Sequence, residues 1–64
     1  MNDFKERLVN EQAELEEKLN KLNAFNDSEL VKGIDPIQQQ ILIIQAGAMH
    51  TYNECLKARL KHLK

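Results

Sequence analysis

Two arginines, Arg7 and Arg59, are the residues here best suited to hold another molecule. A guanidinium is planar and always charged, and it grips a phosphate or a carboxylate through paired hydrogen bonds. Gln45, Tyr52 and Arg59 repeat by sevens. Arg59 also follows Cys55 and Tyr52 at helical spacing, which is expected to set its guanidinium beside the tyrosine ring. The plainer alternative is a structural salt bridge from Arg59 to Glu11 or to an acid of a neighbouring copy. A second series by sevens is Phe4, Glu11, Lys18 and Phe25. There an acid and a base are bracketed by two rings. Such a pair either fixes helix register, lines a pocket, or sits on a solvated flank. If two helices lie antiparallel, the start of the first meets the end of the second. Phe4, Arg7, Tyr52 and Arg59 then gather at one end. Rings that stack on bases and guanidiniums that hold phosphates suit an anionic aromatic ligand such as a nucleotide.

Other chemistry finds little purchase. Cys55 is the only cysteine, so no disulfide within the chain is possible. One cysteine with His50 and His62 does not make a structural zinc site. Cys55 falls on an apolar stripe, where a thiol is usually inert packing. No Ser/His/Asp set, phosphate-binding glycine loop or paired-carboxylate arrangement is visible. The expectation is a protein that is not an enzyme and needs neither cofactor nor metal.

The chain has 64 residues, with 9 basic and 10 acidic side chains and a net charge of -1. That is one domain at most, near the lower limit for a self-sufficient core. Small chains of this kind usually need a disulfide, a metal or partner subunits, and partner subunits are what is left. So even a charge balance creates no field for duplex nucleic acid. No leader pattern opens the sequence and no apolar run approaches the ~20 residues that cross a bilayer, so no membrane association is expected. A lone thiol without an export signal points to the cytoplasm.

The elements that must position these residues are two helices, an all-α hairpin in a single domain. The first is expected from about residue 3 to 25, without Gly or Pro and rich in Glu, Lys, Leu and Ala. Phe4, Leu8, Leu15, Leu19 and Leu22 form its apolar stripe. Asp3 stands where an N-cap is wanted, and Glu14–Lys18 and Glu17–Lys21 are spaced as i, i+4 ion pairs. Residues 26–35 form the connection. Ser28 is placed to cap a short turn through Lys32, Gly33 to end it in the left-handed conformation, and Asp35-Pro36 to start the next helix. The second helix is expected from about 36 to 63. It carries two stripes: Leu42, Met49, Leu56 and Leu63 with Leu60 beside them, and Ile37, Ile41, Ile44, Ala48, Tyr52 and Cys55. The Ile41–Ile44 run has β propensity, but no partner strand exists and the helical period continues on both sides. Ala46-Gly47-Ala48 offers a flat spot for close approach of another backbone.

One stripe of the second helix covers the first helix. The other is left facing water, and burying each such side chain is worth ~1.5–3 kcal/mol. A patch of that size normally marks an interface. A homo-oligomeric helical bundle with closed symmetry is therefore expected. The competing expectation is an adaptor hairpin that docks on another protein without any small ligand, although Glu16, Asn20, Asn53, Lys57 and Lys61 make the outer sides polar. A membrane-surface helix fits poorly, since the polar faces are mixed in sign.

The polar positions that interrupt the seams carry a resemblance. The run Arg7-Leu8-x-x-Glu11-x-x-x-Leu15-x-x-Lys18-Leu19-x-Lys21-Leu22-x-x-Phe25, a short loop, and then Gln45-x-x-x-Met49-x-x-Tyr52-x-x-x-Leu56-x-x-Arg59-Leu60 resembles the small helical hairpin domain of the phage anti-CBASS and anti-Thoeris signal sponges. The resemblance spans nearly the whole chain. It implies a bacteriophage protein acting in the host cytoplasm. Such proteins bind and sequester cyclic oligonucleotide second messengers of host immunity without degrading them. Some members take cyclic dinucleotides, some cyclic trinucleotides, some cyclic ADP-ribose isomers. They assemble as compact oligomers, often hexamers, with pockets between protomers. Arg7, Lys18, Tyr52 and Arg59 match the pattern, and together with Phe4 they are the expected ligand-binding residues.

Overall fold

The computed structural model describes residues 3–63. Helix α1 spans Asp3–Asn26, a 3-10 turn spans Glu29–Gly33, and helix α2 spans Pro36–Lys61. The two long helices pack side by side as an antiparallel hairpin. The resulting rod measures 48 × 14 × 13 Å, one helix pair thick in both short directions.

Local sequence explains where each element starts and stops. Asp35 caps α2 by accepting the Ile37 amide at 2.8 Å, and Pro36 fills the first helical position, where no amide hydrogen is needed. Ser28 accepts from the Leu30 amide at 3.2 Å and donates to the Phe25 carbonyl at 2.7 Å, so one hydroxyl ends α1 and opens the 3-10 turn. Four expectations are corrected here. Gly33 does not adopt a left-handed conformation; no described glycine has positive φ, and the turn ends through Ile34, whose amide reaches Val31 at 3.1 Å. Asp3 lies inside α1 as a first-turn acid, which favours the helix dipole. Helix α2 stops at Lys61 instead of reaching Leu63. The His62 amide still bonds Ala58 at 3.1 Å, while Leu63 turns back to Leu60 at 3.3 Å, the tighter spacing common at helix ends. Glu17–Lys21 closes at 3.1 Å; the Glu14–Lys18 pair does not form.

Between the helices runs a seam with alternating steps of four and three. On α1 it follows Leu8, Gln12, Leu15, Leu19, Leu22 and Asn26. On α2 it follows Leu42, Ala46, Met49, Asn53, Leu56 and Leu60, and Leu63 continues it just past the helix end. Each of these is buried or half-buried. Among the described residues only Leu8, Leu19 and Leu56 are buried apolar residues, Leu56 completely. Phe4, expected in the α1 stripe, stands on its flank at 53% exposure.

Asn53 overturns an expectation. The sequence pattern puts it on the polar outside, yet it is 3% exposed, in the middle of the seam. Its partners show why a polar group survives there. Gln12 donates to the Asn53 side-chain amide oxygen Oδ1 at 3.0 Å and to Glu16 Oε1 at 3.1 Å, and Asn53 Nδ2 donates to the same Glu16 oxygen at 3.3 Å. Lys57 completes the cluster at 3.2 Å from Glu16. A buried amide with partners at only one alignment disfavours sliding of the leucine stripes, so it specifies register. The hydrogen bond from Asn53, followed by the Lys57 hydrogen bond and charge, holds the Glu16 carboxyl below the usual glutamate range. The Glu16 hydrogen bond and charge, in turn, raise Lys57.

The outer stripe of α2 stays uncovered in the single hairpin. Ile37 is 68%, Ile41 46%, Ile44 70% and Tyr52 47% exposed. A compact monomer of 7.4 kDa exposes about 4,200 Å². This hairpin exposes 5165 Å².

Candidate functional site

The register places two flanks beside the seam. On one, α1 contributes Phe4, Glu11, Lys18 and Phe25, and α2 contributes Arg59, Tyr52 and Gln45. Two observed contacts tie this flank together. The Arg59 guanidinium carbon lies 5.8 Å from the centre of the Phe4 ring, within cation–π range. The Tyr52 hydroxyl donates to the Glu11 carboxylate. The same pairing puts Lys18 at the level of Gln45.

At the end away from the loop, Phe4, Arg7, Leu8, Glu11 and Arg59 line a groove of about 260 Å³. Larger grooves exist on the hairpin, but the chemistry of this one singles it out. The larger ones are lined mainly by amides, alanines and mixed charges, whereas this one brings two guanidiniums to an exposed aromatic face. Neither arginine is ion-paired among the described residues, so both are available to an anion. The volume is just below the range of about 300–1,000 Å³ that small-molecule sites occupy.

Four of the five expected ligand-binding residues are thereby assembled: Phe4, Arg7 and Arg59 in the groove, and Tyr52 joined to it through Glu11. Lys18 is not among the lining residues. It stands seven residues beyond Glu11 on the same flank, about 10 Å along the helix axis. Two details differ from expectation. Arg59 stacks on Phe4, not beside Tyr52, because the antiparallel register sets residue 59 across from residue 4. Glu11 pairs with neither Lys18 nor Arg59; it is taken by Tyr52. Glu11 therefore belongs to the groove, and its place in the series by sevens from Phe4 was the signal for it.

The outer stripe of α2 borders this flank. Tyr52 belongs to both, and Ile41, Ile44, Ala48 and Cys55 continue around the helix from it. Near the middle of α2, Gly47 shows a second opening: a Cβ built there meets nothing within 4 Å. Packing within the hairpin does not require that glycine. Among the described residues no group of three His, Cys, Asp or Glu side chains is placed to hold a metal ion. No described helix is long and apolar enough to cross a membrane.

Neither the curated proteins nor the solved structures contain a match to this chain. The family comparison is different: Sequestin matches residues 2–62, nearly the full length, and with a hairpin that carries cations and a ring on one flank, the chain belongs to the Sequestin family.

Proposed function

We propose that the protein is a phage sponge, a homo-oligomer that binds host cyclic oligonucleotide messengers between its subunits and holds them without cleaving them. One observation carries this reading. The groove with Arg7, Arg59 and the Phe4 ring is slightly too small for a complete site, and it lies on the flank reached by the uncovered apolar stripe of α2. A second copy seated on that stripe would wall the groove and bring further arginines. The family name fits capture rather than chemistry. Cyclic dinucleotides, cyclic trinucleotides and cyclic ADP-ribose isomers share the required features: flat bases and clustered phosphates.

The test is a thermal-shift panel of such cyclic ligands with linear nucleotides as controls. A ligand that binds only the folded oligomer adds RT ln(1 + [L]/Kd), about 2.7 kcal/mol at a hundredfold excess over Kd. For a small domain each kcal/mol moves the midpoint about 4–8 °C. The expected result is a shift of roughly 10–20 °C with one cyclic class and none with its linear form. Arg59→Ala removes that shift while sedimentation still finds the oligomer. Flat curves across the panel at high ligand concentration refute the reading and favour an adaptor hairpin.

A further inference from the structure

We propose that two copies of this chain pair antiparallel through their second helices, about a two-fold axis that passes at Ala48. This rests on the homo-oligomer of the reading above and adds its geometry; it does not depend on what the groove binds. The outer stripe of α2 runs through Ile37, Ile41, Ile44, Ala48, Tyr52, Cys55 and Arg59, all exposed in the hairpin. Its steps are four, three and four up to Ala48, and four, three and four beyond it, so the stripe reads the same in both directions. The seam with α1 has no such centre, since it alternates fours and threes throughout. A helix turns about 100° per residue, which keeps all seven side chains within about 40° of one line. Residues 37, 48 and 59 repeat by elevens, a spacing close to the natural pitch of a straight helix.

A two-fold interface must complement itself, with residue i meeting j and j meeting i. Turning a second copy about Ala48 sets Ile44 beside Tyr52 of the partner subunit and Ile41 beside Cys55 of the partner subunit. Ile37 then meets Arg59 of the partner subunit, whose aliphatic stem covers it while the guanidinium stays at the edge. A parallel pair would instead bring the two Arg59 charges face to face and align the helix dipoles. The centre of the stripe is its smallest residue, and beside it Gly47 has open space around a Cβ built there. Two backbones can approach there toward the short end of the usual 8–10 Å between helix axes, a range that holds for packed helices of about this kind. The area is sufficient as well. The hairpin exposes 5165 Å², about 1,000 Å² beyond a compact monomer of its mass. A standard interface takes about 800 Å² from each partner.

The experiment is disulfide trapping. Dilute protein is oxidised with oxidised glutathione and run on a non-reducing gel, and the reduced sample is sedimented. A disulfide needs Cα atoms about 4.4–6.8 Å apart. In the antiparallel pair each Cys55 lies seven residues from the axis, so the two native thiols are about 21 Å apart along the helices and do not join. Ile41→Cys puts a second thiol level with Cys55 of the partner subunit, and most of the chain is expected to convert to a cross-linked dimer. Ile41→Cys with Cys55→Ser is expected to give none. Ala48→Cys with Cys55→Ser is expected to cross-link at the axis, and its exposed site keeps the test open if Ile41→Cys weakens the assembly. Cross-linking of the wild type through Cys55 overturns the proposal in favour of a parallel pair. Cross-linking of the Ala48→Cys variant alone keeps the face but overturns the alignment. An oligomer by sedimentation in which neither variant cross-links overturns the face as well, and leaves the homo-oligomer standing on other contacts. A wild type that sediments as a 7.4 kDa monomer overturns the pairing and the homo-oligomer together.

Discussion

Replacing Asn53 with alanine tests whether the polar cluster holds the hairpin together. Asn53 is 3% exposed, and it joins Gln12 at 3.0 Å to Glu16 at 3.3 Å. Alanine removes both bonds at once. A typical hydrogen bond contributes about 0.5–1.5 kcal/mol net, and one to a charged group about 1.5–3. Glu16 and Gln12 are only half-buried, so water takes over part of what they lose. The expected cost is therefore about 1–3 kcal/mol. A domain of this size has a total stability of roughly 3–10 kcal/mol. The melting midpoint should fall by ~5–20 °C at fixed protomer concentration. Circular dichroism melts of wild type, Asn53→Ala, Gln12→Ala and the double variant give the coupling directly. A pair in one network shows a coupling of about 0.5–3 kcal/mol. An Asn53→Ala melt within two degrees or so of wild type, with additive single changes, would refute the claim that this cluster fixes the seam.

Gly47→Ala should stabilise the helix by up to ~1 kcal/mol, because a Cβ there meets nothing within 4 Å; a lower melting point would show that something outside the hairpin packs against that spot. Ile44→Glu puts a charge on a residue 70% exposed in the hairpin, and sedimentation velocity should find it dissociated if that face lies between copies. Asp35→Ala removes the cap on Ile37 and should cost about 1 kcal/mol in thermal melts. For pH, Glu16 is lowered in the fold, so its contribution is complete above the ordinary glutamate pKa and is lost as pH falls through its depressed folded value. Lys57 is raised, so its contribution is complete below the ordinary lysine pKa and is lost as pH rises through the elevated one. Both groups are about half-exposed, and the slopes should be shallow and should shrink in Glu16→Gln melts and in high salt.

The helices were legible because their signals are local. Pro36 after Asp35, the lack of Gly and Pro through α1, and leucines at fours and sevens each name an element on their own. The seam was half legible. Counting sevens from Leu42 finds Met49, Leu56 and Leu63 but skips the intervening positions, Ala46 and Asn53. An asparagine there looks like surface unless its partners Gln12 and Glu16 are known, and those lie across the hairpin. The gathering of Phe4, Arg7 and Arg59 followed from antiparallel geometry alone. Which ring Arg59 would choose did not, since Phe4 and Tyr52 differ by one seven-residue step along the flank. Gly33 misled because glycine permits a left-handed turn without requiring one; here Ser28 and Ile34 close the turn with ordinary backbone angles.

The most direct measurement is recovery of captured ligand. The purified protein is loaded with the cyclic oligonucleotide that shifts its melting point, freed of excess by gel filtration, then heat-denatured, and the released molecule is identified by chromatography and mass spectrometry. Sequestration predicts the intact cyclic compound, in a fixed ratio to protomers that falls sharply in Arg59→Ala. Linear or cleaved product, or no nucleotide retained through the column, would contradict it.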